Sequence, residues 1–204
     1  MCAIFCSFDV NMLNKLYKLN AYRGELGYSL GIFKTEYTAT LQNLFQEKEP
    51  YPEDFISKIG APGHYYVGHS QAPTTNNDNQ HPSVVRTSYL WHNGIIKQSR
   101  IPEGYWDTLW LHEKLVYKGF ESLSDIDGTF ACVYYNNYEL LVFRNEISPL
   151  YYDNNLNISS TEFEGSSLLP ANKVFRLNTF NYKELPLSEV YSFETKENPY
   201  FIPE

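Results

Sequence analysis

Cys2 places a thiol at the second position of the chain. Cysteine is small enough for aminopeptidases to strip the preceding Met1, which would leave a thiol and a free α-amine on one residue. A model α-amine titrates at roughly 7.7 to 8.0 and a thiol at about 8.5, so the amine can take the thiol proton near neutral pH. That is the N-terminal-nucleophile form of covalent catalysis, in which nucleophile and base need no third residue. Taken alone, a Met-Cys start reads better as chance, with Cys2 a small buried hydrophobe.

Other segments also carry reactive groups. Arg23-Gly24 follows the first predicted helix, and Gly68-His69-Ser70-Gln71-Ala72-Pro73-Thr74 ends a predicted strand, with His81-Pro82 closing the loop after it. Then come Trp91-His92-Asn93-Gly94-Ile95-Ile96, the Asp107-Thr108 helix start, Asp127-Gly128-Thr129-Phe130-Ala131, and Phe143-Arg144 with Ser148-Pro149-Leu150-Tyr151. Each has an ordinary reading. Asn93-Gly94 alone suits a type I′ turn, and Asp107 suits a helix N-cap. Arg144 reads as a strand-end surface charge, His69 and His81 as loop-packing residues, and Cys6 and Cys132 as core.

In this order, and with Cys at position 2, these segments resemble the class II glutamine amidotransferases over roughly residues 2 to 180. The His-Asn-Gly-Ile-Ile stretch is most similar to the glutaminase domain of glucosamine-fructose-6-phosphate aminotransferase, with asparagine synthetase also similar. The resemblance implies an α+β fold: a four-layer αββα sandwich of N-terminal-nucleophile hydrolase type, with two antiparallel sheets between helical layers. It implies that Cys2 attacks the side-chain amide of glutamine, releases ammonia and leaves a thioester for water to cleave. Asn93 and the N–H of Gly94 would form the oxyanion hole, often the largest catalytic contribution. Glycine at 94 would allow an unusual backbone that turns this N–H inward. Among substrate-binding residues, Asp107 would hold the α-ammonium, Arg23 would order the site beside the nucleophile, and Gln71 and Thr74 lie in the segment that faces glutamine. No metal or cofactor is implied.

The chain departs from the family at Gln71, where an arginine usually grips the α-carboxylate of glutamine. A neutral amide replaces that fork-to-carboxylate contact only weakly. Another cation such as Arg86 could reach the carboxylate, Gln71 could bind it less tightly, or the substrate could be a different amide. The family also joins this domain to one that consumes ammonia. Residues 181–204, with Leu185-Pro186-Leu187 and Tyr200-Phe201-Ile202-Pro203, read instead as a tail packing on the domain or on a partner. A separate ammonia-accepting synthetase subunit is therefore the expected partner.

The elements that must position these residues are short. Residues 2–8 read as a strand, and Asn11–Leu19 as a helix with Asn11 as its cap. Gly27–Phe33 and Glu36–Leu41 read as a strand pair around a Lys-Thr turn, and a helical piece is expected near Asp54–Ile59. Ser88–Ile96 reads as a strand broken at Asn93-Gly94. Asp107–Tyr117 shows the clearest apolar stripe of a helix. From Gly128 the pattern is almost all strand, with Asn136-Asn137 as a hairpin turn. Strands near Leu150–Tyr152, Asn157–Ser160 and Lys173–Leu177 follow.

Bulk properties narrow the function classes. With 204 residues, one domain with a sizeable core is expected. The formal charge of -8 argues against a nucleic-acid backbone or an anionic membrane as main partner. Apolar runs are too short to span a bilayer. Three cysteines without a Cys-x-x-Cys pair argue against a disulfide framework or a zinc site, and fit a reducing cytoplasmic setting.

Overall fold

The computed structural model describes residues 2–35, 38–49, 63–72, 79–97, 101–179 and 186–195. The expected helix near residues 54–59, Thr74 and most of residues 181–204 lie outside this set. Two antiparallel sheets stack face to face. The first has the order β11-β9-β10-β1-β4-β2-β3 and the second β13-β12-β8-β7-β6-β5. The strands are β1 Ala3–Ser7, β2 Gly27–Thr35, β3 Ala39–Glu47, β4 His64–Gln71, β5 Ser83–Val85, β6 Ser88–Ile96 and β7 Gly128–Tyr135. They continue with β8 Leu140–Arg144, β9 Tyr151–Tyr152, β10 Ile158–Ser159, β11 Ser167–Leu168, β12 Lys173–Leu177 and β13 Leu187–Ser192. Among the described residues two α-helices, α1 (Val10–Asn20) and α2 (Asp107–Lys118), cover the outer faces.

The layering follows from side-chain alternation, because successive strand residues face opposite sides of a sheet. In β1 and β4, Ile4, Cys6, Tyr65 and Val67 point inward and meet Trp91, Val133 and Val142 of the second sheet. Phe5 and Tyr66 point outward onto Leu13 and Leu16 of α1. On the other side Leu90, Phe130 and Cys132 pack against Leu111 and Leu115 of α2. Three apolar seams thus separate four layers, helix, sheet, sheet and helix, as the resemblance implies.

Several local expectations change. The cap of α1 is Asp9, not Asn11: its carboxylate accepts the backbone N–H of Asn11 at 2.6 Å and of Met12 at 3.0 Å. In α2 the extended cap residue is Trp106, and Asp107 is the first helical residue. Lys34-Thr35 belongs to β2 rather than to a turn. Asn93-Gly94 is no turn: β6 runs unbroken from Ser88 to Ile96, paired along its length with β7. Arg144 is no surface charge either. It is buried, with Nε donating to the Leu169 carbonyl at 2.5 Å and Nη1 to the Asn145 carbonyl at 2.8 Å. Leu187–Ser192, from the segment expected as a tail, pairs with β12, and Phe193 is buried against Phe130.

Candidate active site

Cys2 immediately precedes β1. Alternation through Ile4 and Cys6 directs its side chain into the seam between the sheets, where it is buried. Its Sγ lies 3.6 Å from the Ala72 carbonyl, just past the end of β4. Burial raises the thiol pKa above its ordinary value, outweighing that contact. The thiol therefore needs a base beside it before it can act as a nucleophile.

Arg23 ends a short 3₁₀ turn, Ala21–Arg23, after α1. Its Nε donates to the Cys2 carbonyl at 3.1 Å. The adjacent glycine explains the approach. A Cβ on Gly24 would sit 2.6 Å from the Gln71 backbone carbon, so only glycine lets this turn lie against the end of β4.

Asn93 projects from the inner face of β6 towards the first sheet. Its Nδ2 donates to the Ser160 hydroxyl at 3.2 Å, and that hydroxyl also accepts the Ile4 N–H at 2.9 Å. An amide nitrogen carries two hydrogens, so one remains to be directed elsewhere. Gly94 faces Phe130 across the β6–β7 ladder. Phe130 turns its own N–H and carbonyl towards Asn145 instead, at 3.3 and 3.0 Å. Gly94 is thus in a non-hydrogen-bonded pair, and its N–H points away from β7. On that side β5 pairs only with Ser88–Leu90, well short of Gly94. The inward N–H comes from ladder register, not from an unusual glycine conformation. Glycine is required for space, since a Cβ at 94 would meet the Thr129 carbonyl oxygen at 1.9 Å.

Asp107 lies along the same open edge of β6. Its Oδ2 accepts the Ile96 N–H at 3.3 Å, two residues from Gly94, and its Oδ1 accepts the Thr108 N–H at 2.8 Å. The start of α2 suits a carboxylate, because the first-turn amides lend positive potential. Gln71 takes a different part. Its Nε2 donates to the Asn79 carbonyl at 2.5 Å and its Oε1 accepts the His81 N–H at 3.3 Å. Both ends of its amide thus hold the far end of the loop that follows β4. Arg86 cannot supply the missing cation. Its guanidinium stacks 5.0 Å from the Tyr117 ring centroid, near the far end of α2. The strand start at Ser88 is five residues from Asn93, about 17 Å along β6.

Two buried histidines, His69 and His81, lie beside the thiol and a third, His92, lies behind them; their hydrogen bonds define their tautomers. His92 Nε2 is 3.2 Å from the Thr129 carbonyl, which can only accept, so this nitrogen carries the hydrogen. Burial lowers the His92 pKa and keeps the ring neutral. Its Nδ1 then accepts the Thr108 hydroxyl hydrogen at 3.0 Å. With that hydrogen committed, the same hydroxyl accepts from His81 Nε2 at 3.2 Å. His69 Nε2 donates to the His92 carbonyl at 3.3 Å. The Nδ1 atoms of His69 and His81 are left with bare lone pairs, and neither has a partner among the described residues. The sequence reads His69 and His81 as loop packing, places Thr108 only at a helix start, and gives no signal for Ser160. Ser160 sits in a Ser-Ser-Thr run that resembles any polar turn.

A cavity of about 650 Å³, lined by Phe8, Met12, Lys15, Leu156 and Asn157 among others, contains none of these residues. It lies beside α1 and carries no comparable chemistry.

No protein-family model matches the sequence, and no curated protein matches it. Solved structures do. The glutamine phosphoribosylpyrophosphate amidotransferase from B. subtilis, complexed with ADP and GMP, superposes with a TM-score of 0.59 at 14% identity, covering 93% of this chain. A structure described as the allosteric regulatory enzyme of purine biosynthesis gives 0.57, also at 14% identity and 93% coverage. The chain spans 49% of the length of each. The likeness establishes the fold alone: a sandwich of two antiparallel sheets shared with these structures.

Proposed function

We propose that this chain is a glutaminase of the class II amidotransferase type, with Cys2 as its nucleophile. The observation that carries the reading is the meeting of Cys2, Arg23 and Asn93 at one end of the inter-sheet seam, in a fold of the matching type. Release of Met1 supplies an α-amine base on the same residue as the buried thiol. The α-amine takes the thiol proton, and the thiolate adds to the amide carbon of the substrate. Negative charge on the former carbonyl oxygen is received by Asn93 Nδ2 and the Gly94 N–H. Collapse expels ammonia, which carries away the proton held by the amine, and leaves a γ-glutamyl thioester. Water adds next, so the balance is glutamine plus water to glutamate plus ammonia. Asp107 holds the substrate α-ammonium, while Gln71 and Thr74 are assigned to substrate binding by the family resemblance.

Ammonia passes to an acceptor site outside this domain, in a separate cytoplasmic synthetase or transferase. Residues 2–180 form the amidotransferase domain in this reading, and 181–204 an appendage that packs on it or on the partner. Co-purification of the native complex identifies that partner. The closer likeness to glucosamine-fructose-6-phosphate aminotransferase or asparagine synthetase belongs to this proposal and rests on the His-Asn-Gly-Ile-Ile stretch.

One observation favours a second reading. Because the Gln71 amide is already engaged within its own loop, a non-catalytic assembly module, or a hydrolase of another amide, would also suit the site. A glutamine-mimicking electrophile, diazo-oxo-norleucine, separates the readings. Mass spectrometry of Met1-processed protein should show one label on Cys2, together with ammonia release from glutamine. No label and no ammonia, even with the partner present, would sink the glutaminase reading. Labelling by other amide analogues alone would favour the different hydrolase.

A further inference from the structure

We propose that Cys2, His69 and His81 form a transition-metal site, best suited to Zn²⁺, whose occupation switches the thiol off as a nucleophile. Sγ of Cys2 and one ring nitrogen of each histidine lie within 4.8 Å of one another. All three residues are buried, at 5%, 0% and 5% exposure. One thiolate with two imidazoles is a donor set for zinc or a softer ion, and not for calcium or magnesium, which take oxygen.

The hydrogen-bond network prepares the donors. Metal-binding imidazoles ordinarily donate their other N–H to a carbonyl or another fixed acceptor, which sets tautomer and ring direction. Here His69 Nε2 donates to the His92 carbonyl and His81 Nε2 to the Thr108 hydroxyl. The two Nδ1 lone pairs are buried without partners, which is costly unless something binds them. The His69 and His81 ring centroids lie 3.9 Å apart with the planes tilted by 31°.

Zinc–sulfur and zinc–nitrogen bonds of about 2.3 and 2.0 to 2.1 Å place tetrahedral donors about 3.3 to 3.6 Å apart. The present spread of up to 4.8 Å therefore closes by up to about 1.5 Å on binding, within reach of side-chain rotation. The thiol gives up its proton, a sulfur–metal bond forms, and no electron is transferred: RSH + Zn²⁺ gives RS–Zn⁺ + H⁺. Once Met1 is released, the α-amine becomes a fourth donor, because Sγ and the amine of one cysteine close a five-membered ring on the ion. The metal site itself stands apart from the glutaminase reading; only its inhibitory effect rests on that reading.

The test titrates full-length, Met1-processed, chelator-treated protein with Co²⁺ and with Zn²⁺. The expected result is one ion per chain, a thiolate-to-cobalt charge-transfer band in the near ultraviolet, and one proton released from the thiol per ion, with a second from the α-ammonium where the amine is still protonated. Cys2→Ala should abolish the band, and His81→Gln should weaken Zn²⁺ binding about 100-fold or more. Lack of the band in the unsubstituted protein would overturn the proposal, and this needs no variant to fold. Unchanged Zn²⁺ affinity in a folded Cys2→Ala or His81→Gln protein would overturn it as well. Full glutaminase activity at saturating Zn²⁺ would remove the inhibitory role. An intact cobalt band in a protein that never hydrolyses glutamine would sink the functional reading and leave the metal site standing.

Discussion

Asn93 on the second sheet and Ser160 beside the first are joined by a 3.2 Å hydrogen bond across the seam that also holds Cys2. The bond fixes the direction of the Asn93 amide. Ser160 simultaneously accepts the Ile4 N–H of β1, two residues from the nucleophile. One hydroxyl therefore registers the proposed oxyanion donor against the strand that carries the thiol.

Ser160→Ala should accordingly lower kcat by about 10-fold with little change in KM. Asn93→Ala, which removes the donor itself, should cost about 10²- to 10³-fold. The double variant should be no slower than Asn93→Ala, because Ser160 acts through Asn93. Steady-state ammonia release by the three proteins checks this, and additive losses would refute it. Stability should fall in Ser160→Ala as well, by about 1 to 3 kcal/mol, since the buried Ile4 N–H loses its acceptor.

Gly94→Ala should damage fold and site together. The added methyl carbon would lie 1.9 Å from the Thr129 carbonyl oxygen and 2.6 Å from its carbon. Both belong to backbone in the middle of a sheet and cannot swing aside. Overpacking of this kind costs typically about 1 to 3 kcal/mol. Denaturant unfolding should show that loss, and an alanine variant as stable as the parent would contradict the register described for β6.

Gln71→Arg tests how the substrate carboxylate is held. The change restores the family's charged fork at the cost of the two contacts Gln71 makes to Asn79 and His81. KM for glutamine should fall about tenfold while kcat stays within about twofold, as expected for a charge-assisted contact present equally in ground and transition states. A fall in kcat without a gain in KM would show that the loop contacts of Gln71 matter more to turnover.

Acid should weaken the fold through His112. Its Nε2 is 2.8 Å from the Ser88 hydroxyl, whose own hydrogen goes to the Val85 carbonyl at 2.6 Å, so the ring donates there. Nδ1 accepts from Ser83 at 3.1 Å, completing a neutral, satisfied imidazole. Burial pushes its pKa down to about 4. The unfolded chain, titrating near 6.5, thus binds the proton more readily. Stability is full above pH 6.5 and falls as pH drops towards 4, by up to about 1.4 kcal/mol per pH unit for this one group. Denaturation midpoints at pH 7.5 and 5 should differ less in His112→Gln than in the parent. An identical pH slope would show that His112 is not the group responsible.

The sequence by itself determined that residues 2–8 and the stretch from His64 form strands, and it marked the hairpin between β7 and β8. Those are local patterns, legible because each depends on a few adjacent residues. Which apolar face meets the other sheet was decided by the fold. It also named Cys2, Asn93, Gly94 and Asp107 as candidates through residue type and order. Tertiary structure alone decided whether Asn93-Gly94 turns or continues, because the answer depends on Thr129 and Phe130 lying alongside. The same holds for Arg144, buried by the carbonyls of Leu169 and Asn145, and for Gln71, engaged by its own loop. Least legible was the cluster of Cys2, His69 and His81. Metal-ligand spacing in sequence marks sites built within one turn or hairpin, whereas these donors meet only because β1 pairs with β4 and His81, ten residues beyond Gln71, comes back beside the thiol.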